Sequence, residues 1–282
     1  MSHIRWLGDE DCHETGVVGG KAANLSRLAF QHRVPPGFAV PAQSVTPGDP
    51  VPDQIVATIQ KAYRKLAERT GETTPSVAVR SSALDEDGAC ASFAGQHDTY
   101  LNISGEDAVV DAVARCWNSA HSPGALAYRR QQGLSEEDIR IAVLVQQLIA
   151  SDVSAVVFSS NPLTKSHDEV VINASWGLGE SVVGGTVTPD TYIVRKSDLR
   201  VTSRQVAEKR QMTVLVPGGT KEVPVPRMLS KEPALNDLQA IEMAGLAIKL
   251  AETTGWPVDI ECTIAAGELY LLQCRPITTL GT

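Results

Sequence analysis

A chain of 282 residues with 43% apolar and 21% charged residues has ordinary globular composition, long enough to bury a substantial core and too apolar for a disordered or fibrous polypeptide. Its formal net charge of −8 argues against a broad nucleic-acid or anionic-membrane surface, so any phosphate site has to be a local positive pocket. Five cysteines, an odd number without C-x-x-C or zinc-like spacing, point to free thiols in a reducing cytoplasm rather than to a disulfide framework.

The first fourteen residues are polar and lack the apolar core of a secretory signal. Gly19-Gly20-Lys21 then leads into Ala22-Ala23-Asn24-Leu25 and a helical pattern. Glycines ahead of a helix let backbone N–H groups approach a phosphate, and Lys21 adds a point charge; a helix-entry turn with a solvated lysine fits the same residues. The spacing is not that of a Walker A loop. Residues 41–52 form the one compositional linker. After Asp53, Ile55, Ile59, Tyr63 and Leu66 recur at helical spacing up to Gly71 and predict an amphipathic helix.

Residues 76–79 read as a strand that ends in Arg80-Ser81-Ser82. An arginine at a strand mouth can grip a phosphate bidentately, and it can equally pair with Asp85, Glu86 or Asp87. The run over 92–99, which holds Gly95, Gln96 and Thr99, offers small residues and donors able to close over a polyphosphate, or an ordinary loop before a strand. A second helix is predicted over 106–120 through Val109, Val113 and Trp117. The polar stretch 133–140 marks a lobe boundary, giving lobes of 1–135 and 136–282.

Valine- and isoleucine-rich segments at 141–149, 154–158, 170–173, 191–194, 258–264 and 269–274, each bounded by turn residues, read as strands. Gln146, Gln147 and Asp152 interrupt the apolar stretch 141–157, so no membrane span is expected. Gly177-Leu178-Gly179-Glu180 and Gly184-Gly185 shape a loop that either faces a nucleotide or simply turns the chain. A third helix is predicted from an N-cap at Asn236 to Gly255. None of the six histidines sits in a nucleophile or metal constellation. The mixture of helices and hairpins predicts an α+β fold rather than a regular βαβ repeat.

The last two strands carry the sharpest chemistry. If Ala265-Ala266-Gly267 is a three-residue loop, Ile264 and Glu268 close the hairpin, Gln273 falls opposite Asp259 and Leu271 opposite Glu261. Alternation then places Asp259, Glu261, Gln273 and Arg275 on one face together with Leu269 and Leu271. Val258, Ile260, Cys262, Tyr270, Leu272 and Cys274 take the other. Carboxylate and amide oxygens suit Mg²⁺, which shares its remaining positions with substrate phosphates, and Arg275 would counter their charge. A solvent-facing hairpin with ordinary charges fits the same residues, and a two-residue turn would shift the register.

In order, the segments G-G-K-A-A-N-L, V-P-P-G-F, V-R-S-S-A, S-F-A-G-Q-H-D-T-Y-L-N, V-Q-Q, S-N-P, G-L-G-E-S-V-V-G-G, T-P-D-T-Y, D-I-E and Q-C-R-P-I-T resemble the N-terminal ATP-binding domain shared by phosphoenolpyruvate synthase, pyruvate phosphate dikinase and rifampin phosphotransferase. The likeness runs from Gly19 to Thr278. It implies an ATP-grasp-like fold with ATP held between two lobes. By the matching motifs, Lys21 and Arg80 would contact phosphates, Gly95, Gln96 and Thr99 would belong to the loop over them, and Gln146 would lie near the adenine. Glu261 and Gln273 would hold Mg²⁺, Arg275 would bind and polarise the phosphates, and Asp259 and Glu180 are weaker transfers. In such proteins ATP is cleaved to AMP and phosphate, and the β-phosphoryl group passes through a histidine on a swivelling domain. No T-S-H-x-A segment follows Arg275-Pro276-Ile277-Thr278. The resemblance therefore implies a histidine-bearing phosphocarrier on a separate polypeptide or another part of the protein, and a small-molecule final acceptor. Cys262 stands where such families often carry an aromatic residue. A self-sufficient small-molecule kinase or ATP-dependent ligase, and a non-catalytic nucleotide-binding regulatory module, are the competing readings.

Overall fold

The computed structural model describes residues 4–44, 50–84, 99–131, 133, 135 and 139–277. The chain divides into two units, Met1–Leu148 with Val216–Gly219, and Ile149–Leu215 with Thr220–Thr282.

The first unit comprises β1 (Arg5–Trp6), α1 (Thr15–Leu28), β2 (Gly37–Ser44), α2 (Asp53–Thr70), β3 (Val77–Ala83), β4 (Thr99–Ile103), α3 (Glu106–Ser119), α4 (Pro123–Gln131) and β5 (Arg140–Gln147). Its sheet has the order β1-β2-β5-β3-β4, with every neighbouring pair antiparallel. Alternation on β3 sends Val77 and Val79 to one face, where Ile59, Leu66, Val113 and Trp117 complete the main core. Helix α2 ends as the sequence predicts, with Gly71 in the left-handed conformation at φ 71°. The Tyr63 hydroxyl, buried at its centre, donates to the Pro75 carbonyl (2.7 Å) and accepts from the Gly105 amide (2.9 Å), joining α2 to the starts of β3 and α3.

The division between the units falls after Leu148, not at 135/136. The reason is β5, which lies between β2 and β3 and buries residues 141–146 consecutively. A strand covered on both faces reads as a continuous apolar run and cannot leave the sheet it centres. The polar stretch ahead of it falls inside the first unit, and helix α4, which precedes that stretch, has no counterpart among the expected helices.

The second unit holds β6 (Val153–Phe158), β7 (Glu169–Trp176), α5 (Glu180–Val183), β8 (Asp190–Arg195), β9 (Arg200–Gln205), β10 (Gln211–Val216), β11 (Gly219–Pro224), α6 (Asp237–Thr254), β12 (Val258–Ala265) and β13 (Glu268–Pro276), the β10–β11 turn being grouped with the first unit. Its main sheet is fully antiparallel in the order β13-β12-β6-β7-β8-β9. Helix α6 is fixed at its start by a capping box in which the Asn236 side chain accepts from the Gln239 amide and the Gln239 side chain accepts from the Asn236 amide, both 2.9 Å. It ends at Gly255, φ 80°. Its buried Ala240, Met243, Ala244, Ala247 and Leu250 pack on the apolar sheet face that carries Ile172, Tyr192, Ile260 and Cys262, leaving the opposite face for chemistry.

The hairpin of β12 and β13 corrects the expected register. Ala265 pairs with Glu268, so the turn has two residues, Ala266 (φ 50°) and Gly267 (φ 80°), the double left-handed geometry that suits the twist of a hairpin. A two-residue turn alone would pair Glu261 with Leu272. A bulge between Glu261 and Cys262 leaves Leu272 as the extra residue, so Glu261 faces Gln273 and Asp259 faces Arg275. The two-residue turn itself puts Leu271 opposite Cys262 on the core face, where it is buried, and Leu269 opposite Ile264, instead of on the face that carries the charges. Tyr270 falls opposite Thr263 and so leaves the core face it was expected to share.

Candidate functional site

In the first unit, two motifs sixty residues apart in sequence form one corner. Gly19 interrupts α1 with non-helical angles (φ 75°, ψ 164°), and a Cβ there would lie 2.1 Å from the Ser82 carbonyl oxygen. Only glycine permits this approach. The chain restarts its helix against the end of β3, with the Ala22 amide donating to Ser82 Oγ (3.2 Å) and Lys21 Nζ donating to the Ser81 carbonyl (2.9 Å). Arg80 is half-buried on β3 and registers with Thr99 on β4 and Leu144 on β5. Opposed residues share a sheet face, so Arg80, Thr99, Ser82 and Gln146 all project from the face on which α1 packs.

Gln146, expected near an adenine, is 1% exposed on that face and its Nε2 donates to the Pro35 carbonyl (3.2 Å). That bond uses one of the two Nε2 hydrogens. Gly95 and Gln96 lie outside the described residues.

In the second unit, the open sheet face carries Glu261 beside Gln273 and Asp259 beside Arg275. Arg275 is anchored: its Nε and Nη2 both donate to Asp259 Oδ2 at 2.8 Å. Asp259 is 7% exposed, and its second oxygen, Oδ1, is buried with no hydrogen-bond partner. Burial pushes the Asp259 carboxyl above the ordinary aspartate value, against the opposing pull of Arg275, and nearby Glu261 adds to the rise. The geometry describes an ion pair whose carboxylate has lost much of its hydration.

Beside Arg275 a cleft of about 230 Å³ is lined by Val156, Phe158, Asn173, Val182, Val183 and Pro189. Glu180 opens the short helix α5 next to it, exposed, with its Oε2 accepting from Thr220 Oγ1 (2.9 Å). No group of three or more His, Cys, Asp or Glu side chains arranged to hold a metal occurs among the described residues, so a metal here would rest on the Glu261 carboxylate and the Gln273 amide oxygen, with ligand oxygens completing its shell.

Behind this wall lies a feature that the sequence reading missed. Asp190 and Lys209 are both fully buried, with Lys209 Nζ 2.6 Å from Asp190 Oδ1. The same carboxylate accepts from the Ala207 amide at Oδ1 (2.9 Å) and the Ala234 amide at Oδ2 (2.7 Å), while Lys209 Nζ also donates to the Ala207 carbonyl (3.1 Å). Asp190 lies in the T-P-D-T-Y run, but the polar neighbours Glu208 and Arg210 give Lys209 the look of a surface residue. The pair fixes the start of β8, and so the placement of Pro189 in the cleft wall.

Two main antiparallel sheets with helices packed against them make an α+β protein. The chain belongs to the family of the pyruvate phosphate dikinase AMP/ATP-binding domain, whose pattern matches residues 46–282. It is 37% identical over 320 aligned residues to a probable phosphoenolpyruvate synthase of Methanocaldococcus jannaschii, covering 99% of this chain and 27% of that one. It is 35% identical over 315 to a rifampicin phosphotransferase of Streptomyces sviceus, covering 97% of this chain and 36% of the relative. The chain thus spans about a quarter to a third of these relatives. A D-alanine–D-alanine ligase of Bacillus anthracis solved with ATP aligns over 97% of this chain and 58% of its own, with a TM-score of 0.36 and 7% identity, too slight a likeness to argue from.

Proposed function

We propose that this chain is the ATP-binding, phosphate-activating part of a phosphotransferase of the phosphoenolpyruvate synthase kind, with an ATP-grasp-like fold. It binds Mg·ATP, cleaves it to AMP and phosphate, and passes the β-phosphoryl group to a histidine on another domain or polypeptide, from which a small-molecule acceptor takes it. One observation supports the reading above the others: a bulge in the C-terminal hairpin sets Glu261 opposite Gln273 and Asp259 opposite Arg275, so the metal-suited oxygens and the guanidinium share a face.

In this reading Lys21, Arg80 and Arg275 neutralise phosphate oxygens, and Asp259 fixes the plane of the Arg275 fork, so that its donors are positioned before charge develops on the transferring group. Glu261 and Gln273 hold the Mg²⁺, which when bound screens phosphate charge. Thr99, Gln146 and Glu180 are further nucleotide-binding groups in this reading, and Gly95 and Gln96, outside the described residues, belong to it by the motif match alone. Histidine transfer is the natural route for chemistry that depends on positioning and electrostatics rather than on a protein nucleophile in this chain. The buried thiols of Cys12, Cys116, Cys262 and Cys274, none in a disulfide, accord with a cytoplasmic setting, and no helix among the described residues is long and apolar enough to cross a membrane.

The test is isothermal titration with ATP, with and without Mg²⁺, followed by transfer to a supplied histidine domain. Binding that weakens without metal, and transfer that falls on the order of 10²-fold in Arg275→Ala with partial recovery in Arg275→Lys, are expected. Absence of nucleotide binding would sink the reading. Rapid stoichiometric phosphorylation of a small molecule by the chain alone would replace it with a self-sufficient kinase.

A further inference from the structure

At the level of Glu261 the register across the second sheet runs Gln273, Glu261, Val156, Asn173 and Thr191, all on the open face. Thr191 Oγ1 donates to Asn173 Oδ1 at 3.0 Å, from the strand on the far side of Asn173 from Glu261. This hydrogen bond holds the amide oxygen toward β8. In a planar carboxamide the Nδ2 donor then points away from β8, on the side of Val156. Asn173 lines the same cleft as Arg275, and that lining contains no carboxylate. Both polar groups of the cleft, the guanidinium and the outward amide nitrogen, are hydrogen-bond donors. Asp259 holds Arg275 from its Nε and Nη2 edge, and Glu261 lies two strands from Asn173.

We propose that Asn173 is a phosphate-binding residue of this site, donating from Nδ2 to the same nucleotide phosphate that Arg275 engages, with Thr191 as the positioning residue that sets the amide's orientation. The proposal rests on the nucleotide reading given above and adds to it a recognition element with no place in the motif set. Its chemistry suits the location. A neutral donor binds a phosphate oxygen without repelling a cation held by Glu261 and Gln273, whereas a second arginine at this position would compete with the metal.

The experiment compares Mg·ATP and adenosine binding by titration calorimetry in the wild type, Asn173→Ala, Asn173→Asp, Thr191→Val and Arg275→Ala, with thermal unfolding as the folding control. Loss of a hydrogen bond to a charged group predicts Mg·ATP binding weakened on the order of tenfold in Asn173→Ala. Asn173→Asp should bind Mg·ATP more weakly still, because it sets a carboxylate against the phosphate. Thr191→Val should fall between the wild type and Asn173→Ala, and adenosine binding should be unchanged in all three. A structural role alone would shift both ligands together. Wild-type affinity for Mg·ATP in Asn173→Asp, or equal losses for Mg·ATP and adenosine in Asn173→Ala, would overturn the proposal. If Asn173→Asp fails to fold, Thr191→Val decides, since a loss confined to Mg·ATP supports the proposal and no loss overturns it. If the wild type binds no Mg·ATP, the whole nucleotide reading fails; if Arg275→Ala weakens binding while the Asn173 and Thr191 variants do not, only the role of Asn173 fails.

Discussion

Replacing Lys209 with methionine tests the energetic core of the second unit, because it removes a charge from a site that has no access to water. Asp190 and Lys209 are each 0% exposed, and Asp190 would keep two backbone donors, Ala207 N and Ala234 N, while losing its only cationic partner in the cluster. Breaking a buried ion pair from one side costs about 3–5 kcal/mol, because the remaining charge stays desolvated. With a urea m-value of about 2 kcal/mol per molar, that is a fall of about 1.5–2.5 M in the unfolding midpoint. The assay is urea denaturation of wild type, Lys209→Met, Asp190→Asn and the double variant, followed by circular dichroism and by tryptophan fluorescence. The double variant should lose less than the sum of the two single changes, because the second substitution removes the uncompensated charge left by the first. Lys209→Met with a loss below about 1 kcal/mol would refute the argument, since it would mean that the ammonium is not the partner that makes buried Asp190 tolerable.

Three further perturbations probe other parts of the chain. Gly19→Ala should destabilise the first unit by about 2–5 kcal/mol in chemical denaturation, from the left-handed backbone together with the clash on the Ser82 carbonyl; wild-type stability would show that α1 does not dock on β3 as described. Ala266→Asn creates the Asn-Gly turn that two successive left-handed residues favour, and should raise stability by up to about 1 kcal/mol, whereas a loss would contradict the two-residue turn. Asp259 has its folded pKa raised above its ordinary value of 3.8, so its contribution is fullest below that value and declines as pH rises through the folded pKa. The stability of wild type relative to Asp259→Asn, measured by denaturation from pH 4 to 7, should therefore fall with pH, and a relative gain would mean that Arg275 outweighs burial.

What the sequence made legible was set by local physics. Helices α2 and α6 could be read because their apolar spacing and their terminal Gly71 and Gly255 are properties of a few consecutive residues. The placing of Glu261 beside Gln273 was harder, and it was reached through a three-residue turn that the chain does not make. A two-residue turn shifts the register by one and so moves Leu271 to the other side; beyond it the bulge at Leu272 shifts the register by one more, and the combined offset of two restores the common face of Glu261, Gln273 and Arg275. A bulge depends on how β12 is held by β6 on its other edge, which no local pattern encodes. The lobe boundary failed for a similar reason: a polar composition at 133–140 suggests a break in the chain, but only the pairing of β5 with both β2 and β3 decides which sheet it joins. Lys209 and Asn173 were invisible because a lysine between Glu208 and Arg210, and an asparagine in a strand, look like surface residues until a carboxylate 19 residues away or a threonine on the next strand is folded against them. At about 3.3 Å per extended residue that separation could span about 63 Å of chain, and the sequence carries no sign that it closes on itself. The decisive groups of the second unit are therefore those whose partners are supplied by tertiary structure, and the test of each is the variant that removes the partner rather than the group itself.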